Sequence, residues 1–229
     1  MSITTTTLTR AAGISAALAG LIYIVIQFIH PSDTAASVAT PAWVGVHSLS
    51  FGMAILALAG VAGIYLHQVK RMGVLGLIGY VMFSLFFILQ AAFTFAEAFI
   101  APLLVTTAPQ FTEDFVGLFG GHASQTDLGP LAAIVPVGAV VYAGGAIVFG
   151  IALLRARVLS RGAVIVLLAA AVVTPIAGLL PHTVERLAAI PMGLALIWLG
   201  YSLWSEQRKG TARLSAERHA SLLDPTPAV

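Results

Sequence analysis

The chain has no cysteine among its 229 residues. That excludes disulfides, thiolate metal sites, iron–sulfur clusters and cysteine nucleophiles. Charge is scarce as well. Asp, Glu, Lys and Arg together make up 9% of the chain, against roughly 25% in soluble domains. Hydrophobic residues make up 59%, and the mean hydropathy is +0.99. A water-soluble fold of this length could not solvate such a surface, so the expected solvent and partner is the lipid bilayer. The formal net charge of +2 is too small and too scattered for a nucleic-acid footprint. The length suits one bundle and leaves no room for a second domain.

Six apolar runs are each long enough to cross roughly 30 Å of hydrocarbon, which takes about 20 helical residues. They are Ala11–Ile29, Val44–His67, Gly73–Pro102, Gly129–Leu154, Gly162–Leu180 and Leu187–Trp204. Helices satisfy their own backbone groups in lipid, and spans of this length do not fit a barrel. The expected fold class is therefore all-α: a polytopic membrane bundle over residues 1–204, with a polar cytoplasmic tail over 205–229. The tail is expected to fray from the last helix. The first run is too long for the apolar core of a cleavable signal.

Orientation follows from the basic residues. Arg10, Lys70, Arg71, Arg155, Arg157, Arg161, Arg208, Lys209, Arg213 and Arg218 fall on one side, and only Arg186 lies opposite. Both termini are then cytoplasmic, and the expected location is the cell membrane of a bacterium, crossed several times. His67 and His219 fall on the basic side and read as solvated. The longest outer connection covers about 103–128. Within it Phe111, Phe115, Leu118 and Phe119 follow helical spacing, with Thr112, Glu113 and Asp114 between them. The pattern predicts a short helix in the membrane interface, ended by Gly120-Gly121. It either rests on the membrane or serves as a lid.

The remaining polar groups share one depth. At about 1.5 Å per residue, Arg10 to His30 spans roughly 30 Å, Lys70 to His47 roughly 35 Å and Gly73 to Glu97 roughly 36 Å. Arg161 to His182 spans roughly 32 Å, and Gln207 to Glu185, beside Arg186, roughly 33 Å. All reach the outer boundary. Tyr23, Gln27 and His30 share one helix face, and Gln90, Thr94 and Glu97 repeat that spacing. His47 and Ser50 share another face, and Thr174 precedes Pro175. Polar faces of membrane helices normally look into the bundle or a wet cavity. The plainer alternative is that such groups cap helices, snorkel or meet interfacial water.

The chemistry open to these groups is narrow. No His-x-x-x-His or comparable spacing points to a metal. Haem would need axial histidines on facing helices, such as His47 with His182 or His30. Gly121-His122-Ala123-Ser124 resembles no nucleophile elbow. No metal and no cofactor is assigned. Aromatic residues are more telling. Phe83, Phe86, Phe87, Phe93, Phe95 and Phe99 lie in the third run, half of the twelve phenylalanines, while Tyr23, Trp43, Tyr142 and Trp198 lie in others. Aromatic faces stabilise cations, so aromatic walls with one buried acid suit protonation chemistry on an isoprenoid or other lipid. Phenylalanines facing lipid are the ordinary alternative.

Along its full length the chain resembles small six-span bacterial membrane proteins, a likeness that carries no activity. In size and in its intramembrane acid it also resembles the integral membrane terpene cyclases of meroterpenoid pathways. Those have seven spans and a Trp-Glu pair in an early span, whereas Glu97 here follows Ala96 in the third. No catalytic residue is carried over from them.

The expected function is a membrane enzyme of cyclase or isomerase type, acting by acid–base chemistry in a pocket in the outer half of the bundle. Glu97 is the expected proton donor. His47 and Gln90 orient it or the substrate, and His30 or His182 serves as counter-base. Tyr23, Gln27, Trp43, Phe87, Gln90, Thr94 and Trp198 are the expected substrate contacts. The alternatives are a carrier of a lipophilic solute and an accessory membrane subunit. For the latter, Gly13, Ala17 and Gly20, or Gly138, Gly144, Gly145 and Gly150, would meet partner helices. Oligomeric state is not legible.

Overall fold

The computed structural model of the protein describes residues 4–119, 123–177 and 186–223, with side chains as far as residue 208. His122, His182, Glu185 and the side chain of His219 lie outside the described residues. The described elements are all helical. In order they are α1 (Thr5–Ile29), α2 (Ala35–Val38), α3 (Pro41–His67), α4 (Val69–Phe99), α5 (Ala101–Leu104) and α6 (Pro109–Val116). A single 3-10 turn (Gly129–Ala133), α7 (Ile134–Ala156), α8 (Arg161–Ala177) and α9 (Ile190–Leu223) follow.

Among the described residues, five helical stretches are long and apolar enough to cross a membrane: Thr5–Ile29, Pro41–His67, Val69–Phe99, Gly129–Ala156 and Arg186–Arg208. The chain is a multi-pass membrane protein. Arg161–Ala177 is equally apolar but has 17 described residues, about 26 Å of rise, and the run read from the sequence continues into residues outside the description. α9 does not stop at Trp204 but continues to Leu223.

Local chemistry sets the helix starts. Thr40 caps α3 by accepting from the backbone N–H of Trp43, and Pro41 occupies the first turn, where its missing N–H costs nothing. This fixes the phase of Trp43, His47 and Ser50. Gly73 has φ +58°, so one turn, Val69 to Met72, precedes the long part of α4.

The six long helices form a closed ring in chain order. α1 packs on α3, α3 on α4, α4 on α7, α7 on α8, α8 on α9, and α9 returns to α1. Close backbone approach seals the joint between first and last helix. A Cβ on Gly13 would lie 2.8 Å from the carbonyl oxygen of Gly200, and Gly20 meets Gly193 in the same way. Gly145 abuts the backbone of Phe83, and Gly150 meets Leu168. These small residues pack the bundle itself, which is how membrane helices gain van der Waals contact without a hydrophobic driving force. Gly138 meets nothing within 4 Å.

At the end carrying Lys70 and Arg71 the ring is filled, with Phe149, Leu153, Leu167, Leu199 and Leu203 all buried. His67 there is half-buried, its Nδ1 3.1 Å from the Gln207 amide, rather than solvated. The His30 end is different. A separate apolar cluster of Val38, Trp43, Phe93, Ala101, Phe115 and Val116 holds α6 against α3 and α4, and beneath it the ring is open.

Candidate functional site

A cavity of about 580 Å³ occupies the ring at the His30 end. That size lies within the roughly 300–1,000 Å³ range of small-molecule sites. Five of the long helices, the Arg186–Ala189 stretch and the segment after α6 contribute to its wall. His30, His47 and Glu97, three of the four residues expected to do chemistry, converge in it. The fourth, His182, lies outside the described residues.

His47 is the best-defined group. It sits about two turns inside α3 and is 1% exposed. Its ring stacks on Trp43 with centroids 3.9 Å apart. Its Nδ1 lies 2.8 Å from the Trp43 carbonyl oxygen, and a carbonyl only accepts, so Nδ1 carries the proton. In the neutral ring Nε2 is then a bare lone pair. That Nε2 is buried without a hydrogen-bond partner among the described residues and stands 3.5 Å from Oε2 of Glu97.

Glu97 is 6% exposed, near the end of α4. The Trp43 indole N–H donates to its backbone carbonyl at 2.8 Å. Trp43 therefore binds the two helices together and also sets the plane of the His47 ring. It is fully buried behind His47 and does not line the cavity, so its place is that of a support rather than the expected substrate contact.

A charged cluster closes the rim. Arg186 places Nη2 3.3 Å from Asp33 Oδ2 and 2.8 Å from Nδ1 of His30. His30 Nδ1 also lies 2.7 Å from the Pro31 carbonyl. One nitrogen cannot serve both at once. As N–H it donates to Pro31, and bare it accepts from Arg186. The His30 ring meets the His47 ring edge-on at 4.9 Å, linking the rim to the buried pair. Asp33 was missed in the sequence because it lies in a loop. The available signal was an acid three residues after His30.

Deeper in, the two polar faces read from the sequence both look into the cavity. Tyr23 and Gln27 line it from α1, and Gln90 and Thr94 from α4. Thr174 donates to the Ala188 carbonyl at 3.1 Å and accepts from Tyr142 at 3.0 Å. Phe87 is fully buried against Phe83 and Phe86, and its neighbour Phe86 lines the cavity instead. Trp198 lies at the other end of the ring, 44% exposed, its ring over Gly162. Periodicity placed both on apolar helices but not on a face.

The last residue of α6, Val116, and Leu118 and Phe119 just after it belong to the wall. Phe115 and Phe119 each lie 4.7 Å from Phe93. Two acids pin this segment. Glu113 accepts from the backbone N–H of Ala35, joining α6 to the start of α2. Asp114 accepts from the Thr126 hydroxyl at 2.6 Å, the Thr126 and Gln125 N–H groups and the Gln110 amide. Those bonds, the Thr126 hydroxyl foremost, hold its carboxyl down at about 2. The sequence set Thr112, Glu113 and Asp114 apart from the apolar positions of this helix, yet Thr112 and Asp114 are buried too.

Comparison with protein-family models, with curated proteins and with solved structures finds no match for this chain.

Proposed function

We propose that the protein is a membrane-embedded enzyme that moves a proton on a lipid-like or isoprenoid substrate, in an isomerisation or cyclisation. The observation that carries this reading is the bare Nε2 of His47 facing the Glu97 carboxyl at 3.5 Å in the wall of the cavity. A base and an acid that close, both buried, form a general acid–base pair. His47 takes the proton at Nε2 and Glu97 supplies one from its carboxyl oxygen. His30 relays the proton to the rim, where Arg186 and Asp33 meet water. Phe86, Phe93 and Tyr142 line the same cavity and stabilise positive charge that develops on the substrate.

The same reading places six spans in the cell membrane with both termini cytoplasmic, on the strength of the basic residues at the Lys70 end. The cavity then opens toward the outer leaflet. The segment around α6 acts as its lid, since α6 residues and the stretch just after them reach both the cavity wall and the start of α2.

A hydrophilic transport path finds no support among the described residues. Between the cavity and the Lys70 end stand Phe83, Phe87 and Phe149, each at most 1% exposed. The test needs no known substrate. Proteoliposomes made with a bacterial lipid extract are incubated in deuterated water, and the lipids are then analysed by mass spectrometry. Deuterium entering one lipid species with wild type and not with Glu97→Gln supports the reading. Lipid flux with no chemical change in either protein replaces it with a carrier.

A further inference from the structure

We infer that the His47–Glu97 pair receives the hydroxyl group of a lipid-like alcohol, with the hydrocarbon chain lying along Ile26, Met53, Phe86, Leu89 and Tyr142. The inference rests on the site proposed above, but on its hydrogen-bonding rather than on its turnover.

The argument is a count of donors. Around the pair, the hydroxyl hydrogens and the His47 ring N–H are already committed to the protein. The Ser50 hydroxyl donates to the Val46 carbonyl at 2.9 Å, and the Thr94 hydroxyl to the Gln90 carbonyl at 2.8 Å. His47 Nδ1–H is held by the Trp43 carbonyl, and the Trp43 indole N–H by the Glu97 carbonyl. Further along the wall, the Gln27 amide donates to the Tyr23 carbonyl at 2.9 Å. Gln90 and Tyr23 stand about 10 Å of helical rise away from Glu97 and His30 along their own helices. What the pair holds at the cavity wall is therefore a carboxyl group and, covered beside it, a lone pair on His47 Nε2.

A buried acceptor with no donor is costly, and the donor has to come from whatever fills the cavity. Glu97 does not supply it in place, because 3.5 Å is too long for an O–H···N bond. Once the Glu97 side chain turns aside from Nε2, which is covered in this structure, a hydroxyl oxygen can stand about 2.8 Å from both groups. It donates to Nε2 and keeps lone pairs for a protonated Glu97. Other head groups match less well. An ether only accepts, which leaves Nε2 unpaired. An ammonium only donates, so it satisfies Nε2 but leaves the O–H of a protonated Glu97 without an acceptor. A carboxylate only accepts, and it would bring negative charge toward Glu97 and Asp33. At Arg186 an anion would compete with Asp33, whose carboxylate already meets Nη2.

The test measures binding of four matched probes to the purified full-length protein in nanodiscs: farnesol, farnesyl methyl ether, farnesoic acid and farnesylamine. Farnesol is expected to bind about tenfold tighter than each of the others, the worth of one buried hydrogen bond. In His47→Phe, which keeps the ring's bulk, the preference should fall to about onefold while the chain still binds. In Glu97→Gln, where the amide both donates and accepts, most of the preference should remain. Equal binding of alcohol and ether overturns the inference, as does tighter binding of the acid or amine, or no binding of any probe. Alcohol preference without deuterium exchange keeps this inference and removes the proton-transfer reading. Exchange without alcohol preference does the reverse.

Discussion

Nε2 of His47 on α3 and Oε2 of Glu97 on α4 stand 3.5 Å apart, while the opposite nitrogen of the same imidazole is fixed by the Trp43 carbonyl. One hydrogen bond thus decides which face of His47 is basic, and the helix pair decides what it faces. Replacing Glu97 by Gln keeps the shape and removes the acid. Deuterium transfer should fall by about 10²–10⁴-fold, the usual worth of a positioned acid–base group, with the melting temperature preserved. Undiminished exchange in a folded Glu97→Gln protein would rule out Glu97 as the donor.

Trp43 is expected to act on stability first. Trp43→Phe keeps an aromatic ring under His47 but removes the N–H that reaches the Glu97 carbonyl. The buried carbonyl left behind should cost about 1–3 kcal/mol, read as a lower melting temperature. A melting temperature equal to wild type would mean that the indole bond does not hold α3 to α4.

Glycine substitutions should separate packing from cavity. At Gly13 a Cβ would press on the carbonyl oxygen of Gly200 at 2.8 Å, and backbone cannot swing aside. Gly13→Ala should destabilise the bundle by about 1–3 kcal/mol, as overpacking does. Gly138 has open space where its Cβ would go and lines the cavity. Gly138→Ala should leave thermal stability unchanged or slightly raised. Equal losses at both positions would contradict the close α1–α9 joint.

The α6 segment should loosen in acid. Asp114 is held at about 2 in the fold, against about 3.9 in an unfolded chain. A depressed carboxyl contributes its stabilisation fully above the unfolded value. The contribution is lost as pH falls from about 4 through about 2. Hydrogen exchange at Gln125 and Thr126, whose N–H groups bond Asp114, should therefore show less protection at pH near 3 than the intrinsic rate predicts. Asp114→Asn should show that loss already at neutral pH. Protection that ignores both changes would show that the loop is held by something else.

Much of the architecture is legible without coordinates because lipid imposes so few solutions. Apolar runs of sufficient length read directly as spans, and five are matched by helices of crossing length. Periodicity also groups Tyr23, Gln27 and His30, and Gln90, Thr94 and Glu97, since residues three or four apart share a helix face. Phe87 shows the limit. It neighbours Phe86 in sequence, yet one ring is buried in the core and the other lines the cavity.

Composition and spacing alone determined that this chain lives in lipid, that it crosses as helices, and that its few polar side chains gather at one depth. Depth follows from counting residues along a helix of fixed rise. Direction around the axis relative to neighbours does not. Only the tertiary structure decided that His30, His47, Glu97 and Arg186 meet, that Asp33 joins them from a loop, and that Trp198 stands at the opposite end. The reason is packing: contacts such as Gly13 on Gly200 and Gly145 on Phe83 set how each helix is turned against the next. That rotation chooses which polar face looks into the ring.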